Sequence, residues 1–94
     1  MKDNARERLK IDTKPIKLRI ESEPYVIFMG RAFVPVINVY EVKKKKEHIL
    51  IISAQSISIP LKRWLDDEKS LVHMEFWINK ASEERSAKYE LELA

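Results

Sequence analysis

Titratable residues are many in this chain, but none of them stands in a spacing that marks a catalytic or metal site. The two histidines, His48 and His73, show no metal-ligand spacing. Asp66, Asp67 and Glu68 form an acidic cluster that reads, at the end of a short helix, as a solvated face. Cysteine is absent, which removes the thiol nucleophile, the thiolate zinc site and the disulfide framework. There is no glycine-rich phosphate loop and no serine in a nucleophile context. The expectation is a non-catalytic protein, with no metal and no cofactor.

What remains is a set of cations interleaved with aromatic rings. Lys17 and Arg19 fall on the outward face of a strand, and Tyr40 lies beside Asn38 on a second one. Lys43, Lys44, Lys45 and Lys46 are consecutive. Trp77 shares a polar row with His73, Glu75 and Asn79, so a core does not obviously need it. Lys80 and Lys88 follow. Basic grooves neutralise the phosphates of a single-stranded nucleic acid, and each base stacked on a ring contributes roughly 1–3 kcal/mol. Lys17, Arg19, Tyr40, Lys43, Lys44, Lys45, Lys46, Trp77, Lys80 and Lys88 are therefore the expected nucleic-acid-binding residues. Each has a plainer reading. A lysine run is a solvated turn in many proteins, and a Trp on a polar strand face is also what a loop or second subunit covers. The conjunction carries more weight than any member, and DNA is not distinguished from RNA by it.

Strands must position these residues. FVPVINVYEV and ILIISAQSISIP flank KKKKEH, and their β-branched and aromatic density favours a long antiparallel hairpin with a basic tip. No Asn-Gly or Asp-Gly pair is present there, so a connection longer than two residues is expected. Upstream, Ile16, Leu18 and Ile20 alternate with Lys17, Arg19 and Glu21 at the period of two of a half-buried strand. Pro24 then marks either one long, bent strand or a break between two. Gly30, the only glycine, is the expected turn after YVIFM. In the next strand Phe33, Pro35, Ile37 and Val39 fall on one face, and Val34, Val36, Asn38 and Tyr40 on the other. Residues 49–52 are apolar on both faces, which places them centrally or under a partner.

Ile57, Leu61, Trp64 and Leu65 then recur at helical spacing. Ser56 or Ser58 can cap the start, and with Ser58 as cap and Pro60 in the first turn the helix is expected over residues 59–68. Period two returns over residues 71–80, with Val72, Met74, Phe76 and Ile78 as the apolar row, and again in KYELELA. Residues 1–14 alternate charges without apolar periodicity and are expected to be a flexible charged arm, either frayed or ordered by a partner. Residues 15–94 make one domain.

Composition supports this frame. The 94 residues allow a single core, 35% of them are charged, and the net charge of +3 permits nucleic-acid binding without demanding it. Abundant Lys, Glu, Arg and Ile with one Gly and no Cys suit a hot habitat. The N-terminus lacks an apolar signal core and no run is long enough to span a bilayer, so a soluble, cytoplasmic protein is expected.

Five strands with one short helix between the third and fourth is the order of the OB-fold, a partly open five-stranded Greek-key barrel. LVHMEFWINKASEERSAKYELEL, preceded by the amphipathic SIPLKRWL, resembles the closing half of small OB-fold single-stranded-DNA-binding proteins of archaea and phages. The similarity covers about the last third of the chain, and residues 81–86 lack the glycine such hairpins often carry. The resemblance implies a mainly β, five-stranded OB-like barrel that binds single-stranded DNA or RNA. The alternative is a protein-interaction or assembly module without nucleic-acid contact, either a homodimer or one subunit of a larger complex. It is suggested by the apolar surplus of YVIFM and residues 49–52.

Overall fold

Alternating apolar and charged residues form strands where the period of two predicts them. The computed structural model describes residues 7–94. Its strands are β1 (Glu7–Arg8), β2 (Ile16–Ile20), β3 (Tyr25–Met29), β4 (Ala32–Glu41), β5 (Lys46–Ile51), β6 (Glu75–Lys80) and β7 (Tyr89–Leu93), and its helix is α1 (Gln55–Glu68). The hydrogen-bonded order is β1-β5-β4-β2-β6-β7, with β3 also on β4. All pairs are antiparallel except β1 with β5.

β2 and β3 lie along the same edge of β4, and Pro24 sits in the break between them. Ile20 faces Val39 and Tyr25 faces Val36, so four residues of one strand (21–24) oppose only Ile37 and Asn38 of the other. This bulge bends the strand and keeps the backbone satisfied. Glu21 N–H donates to the Asn38 carbonyl at 2.8 Å, and Asn38 N–H donates to Ser22 Oγ at 3.0 Å. Beyond it, Gly30 at φ 65° turns the chain tightly back into β4, as its freedom at positive φ allows.

One face of the sheet is covered. Leu18, Ile20, Ile37, Val39, Leu50, Phe76 and Ile78 form the core with Ile57, Leu61 and Trp64 of α1, and the Trp64 ring sits 5.6 Å from that of Phe76. The helix starts a turn earlier than expected. Ala54, rather than Ser56 or Ser58, is its N-cap, which leaves Pro60 inside the helix. Early starting buries Ile57 at the i, i+4, i+7 spacing it shares with Leu61 and Trp64. Ser56 is meanwhile occupied across the fold, its Oγ accepting Tyr89 N–H at 3.0 Å. Residues 71–80 are likewise not one strand: His73 takes φ 77° and β6 begins only at Glu75.

The sheet is not closed into a barrel. Closure of the expected kind needs β5 to pair with β7, and it pairs with β1 instead. Of the expected arm, residues 1–6, including Lys2 and Arg6, lie outside the described residues. The following stretch docks: Leu9 N–H donates to the Ile49 carbonyl at 2.9 Å, and Lys80 N–H to the Asp12 carbonyl at 2.8 Å. Leu9 is buried in the core and Ile11 packs against it. Among the described residues no helix is long and apolar enough to cross a membrane.

Candidate nucleic-acid interface

Residues directly opposite in an antiparallel ladder share a face. Arg19 faces Tyr40 on β4 and Glu75 on β6, while Lys17 faces Trp77. The face that α1 leaves open therefore carries Lys17, Arg19, Tyr40 and Trp77 on three adjacent strands. Trp77 is 42% exposed, enough ring for a planar base to cover. Arg19 lies over the Tyr40 ring at 4.8 Å from its centroid, a cation–π contact that fixes both side chains.

Carboxylates share this face. Lys17 Nζ is 3.2 Å from Glu75 Oε1, and Arg19 is paired with Glu21 at 3.1 Å. The hydrogen bonds that Arg19 donates to the Glu21 carboxylate chiefly push its guanidinium above its ordinary pKa, so Arg19 stays charged at every accessible pH. Glu92 lies opposite Trp77, and Asn79 donates to Glu90 at 3.0 Å. The shallow cleft beside Trp77, about 350 Å³, is lined by Asn79, Glu90, Leu91 and Glu92. The face is thus polarised, cationic toward β2 and anionic toward β7.

The lysine run forms the β4–β5 tip. Glu41 pairs with Lys46 across four residues, Val42 to Lys45, the longer turn that the sequence predicts. Lys45 takes φ 54°, a left-handed conformation that is strained for a residue with a Cβ. Val42 N–H donates to the Lys17 carbonyl at 3.1 Å, which carries the tip alongside β2. Lys43, Lys44 and Lys45 are exposed and extend the cationic end of the face. Lys46 falls on the other side of the sheet, opposite Glu41.

Lys80 does not join this face, and Lys88 stands at its far margin. Lys80 pairs with Tyr89, the opposite parity to Trp77, whereas Lys88 lies opposite Ala81, in line with Glu90 and Glu92 but just before β7 begins, where it borders the groove by the first turn of α1. Tyr25, absent from the sequence-based set, does reach the open face, where its hydroxyl donates to Asn38 Oδ1. Counting parity back across the Pro24 bulge needs the register, which the sequence does not supply.

One further titratable pair is buried on the covered side. His48 Nε2 lies 3.2 Å from Glu41 Oε1, and among the described residues neither ring nitrogen has a hydrogen-bond partner. Among the described residues no group of three or more His, Asp or Glu is arranged to hold a metal ion. Comparison with protein-family models, curated proteins and solved structures finds no match to the chain.

Proposed function

We propose that the open face binds single-stranded nucleic acid, without catalysis. The observation that carries this reading is the convergence of Trp77, Tyr40, Lys17 and Arg19 from three neighbouring strands onto one uncovered face. A base stacks on Trp77, and the phosphates run along the β2 side past Lys17 and Arg19 toward Lys43, Lys44 and Lys45. The anionic side by Glu90 and Glu92 excludes the backbone and sets its path. Phosphate must compete with Glu75 for Lys17 and with Glu21 for Arg19, so affinity is modest and strongly salt-dependent. An OB-like relationship is part of the proposal. In its support, the bent β2–β3 strand pairs with β4 and β6, β4 with β5, and β6 with β7, with the helix between β5 and β6.

Titrating the protein against labelled single-stranded DNA, single-stranded RNA and duplex at two salt concentrations tests it. Single strands should bind at low salt and quench tryptophan fluorescence. Absence of binding to both single strands removes the proposal. The second reading, a protein-interaction module without nucleic-acid contact, is favoured by the exposed apolar β3–β4 hairpin, where Val26 is 60%, Phe28 63% and Phe33 72% accessible.

A further inference from the structure

The end of the sheet farthest from the lysine tip has an open edge of unusual composition. Among the elements, β3 lies beside β4 alone. An unpaired edge is ordinarily guarded by charge, and β7 carries Glu90 and Glu92 on its own. β3, YVIFM, carries no charge at all. Tyr25, Val26 and Phe28 are exposed and Ile27 and Met29 half-buried, and the Phe28 and Phe33 rings sit edge-to-face at 5.1 Å.

The orientation of its backbone follows from β4. The Pro35 carbonyl accepts Ile52 N–H on the β5 side, whereas Asn38 N–H and Val42 N–H point to the opposite side, toward the bulge and β2. Even-numbered residues of β4 therefore address β2 and β3. Tyr25, Ile27 and Met29, which oppose Val36, Val34 and Ala32, spend their backbone groups on β4. The N–H and C=O of Val26 and Phe28 are left facing the open edge.

We infer that β3 pairs antiparallel with β3 of a second copy of this chain, about a two-fold axis through Ile27. That register places Val26 opposite the partner's Phe28 and Phe28 opposite the partner's Val26. The outward groups of both strands then meet, giving four hydrogen bonds. The same register sets Glu23 level with the partner's Arg31 at both ends of the seam, a charge complementarity between the two copies. Glu23 keeps its local role as well, since its Oε1 accepts the Ser70 hydroxyl at 2.6 Å and Leu71 N–H at 3.3 Å. The pairing is isologous, so it consumes the edge and closes at a dimer.

Sedimentation velocity of the whole chain up to roughly 500 µM and cysteine cross-linking test this. The chain has no native cysteine, so an introduced one reports alone. At the two-fold, Ile27 meets itself in a non-hydrogen-bonded pair at about 4.5 Å between Cα atoms, inside the disulfide range of about 4.4–6.8 Å. Val26 meets its own copy only diagonally, at about 7–8 Å. Ile27→Cys should oxidise to a covalent dimer while Val26→Cys stays largely reduced. Val26→Pro removes only the outward N–H, leaves the β3–β4 ladder whole, and should raise the dimer dissociation constant roughly tenfold or more. A wild-type chain that stays monomeric throughout overturns the inference. So does a dimer in which Val26→Cys cross-links as readily as Ile27→Cys, which would mean another register or another surface.

Discussion

Lys17 sits between two neighbours that ask opposite things of it: Trp77 across the ladder, and Glu75 at 3.2 Å. Both partners are about one-third exposed, so the ion pair adds little to stability. Under the proposed function its main effect is to occupy a cation that phosphate would otherwise take. Glu75→Gln should therefore tighten single-strand binding and steepen the log–log salt slope by about 0.7, one further phosphate contact. Weaker or unchanged binding in a salt titration would show that Lys17 does not touch phosphate. Trp77→Ala makes the complementary change. It should weaken binding by about 1–3 kcal/mol at every salt concentration and leave the slope alone, because stacking is not screened. Parity along each strand revealed both residues in the sequence. That Glu75 would reach Lys17 was not legible, because a side-chain pair between strands 58 positions apart depends on register, and register is set by the fold.

At the scale of elements, strand faces were legible and breaks were not. Alternation in IKLRI, FVPVINVY and EFWINK assigned every inward residue that the core uses from β2, β4 and β6. Breaks were harder because the chain has one glycine and places lysine or histidine at left-handed positions instead: Lys45, Lys69 and His73 have φ of 54°, 69° and 77°. Lys69 ends α1 with its N–H on the Leu65 carbonyl at 2.8 Å, a role a reader of sequence assigns to glycine. Such positions give a direct test at the lysine tip. Lys45→Gly should raise unfolding free energy by about 1 kcal/mol in denaturant titration. If Lys45 also contacts phosphate, the same variant should lower the salt slope by about 0.7, so strain and function are read from one protein. The helix is tested separately. Trp64 caps the core against Phe76, and Trp64→Ala should destabilise by about 3–5 kcal/mol. Loss of less than about 1 kcal/mol would mean that α1 does not close the core.

Over the whole molecule, the departure from a closed barrel and the docking of the N-terminal segment are one fact. The edge of β5 that closure would give to β7 is taken by the N-terminal segment, with Leu9 buried, its N–H on the Ile49 carbonyl of β5, and Asp12 accepting Lys80 N–H at the end of β6. Nothing in ERLKID announces this, since a single leucine among charges has no period to detect. Leu9→Ala should destabilise the fold by about 2–5 kcal/mol, which a chemical-denaturation curve would show. A frayed arm would lose nothing.

The two proposals also constrain one another. A two-fold axis perpendicular to the sheet preserves its faces, so pairing through β3 sets both open faces on the same side of one continuous sheet. One long nucleic-acid strand then meets two copies of Lys17, Arg19, Tyr40 and Trp77, and its second contact is intramolecular. Avidity of this kind adds roughly 10²-fold or more where the ligand spans both sites and nothing where it does not. Val26→Pro touches no residue of the open face, because Val26 lies on the opposite side, across from Pro35. It should therefore weaken binding of a long oligonucleotide by about that factor while leaving a short one unchanged. Equal losses for both lengths would mean that the hairpin itself contacts the nucleic acid. No loss for either would place the seam and the binding face too far apart for one strand to bridge.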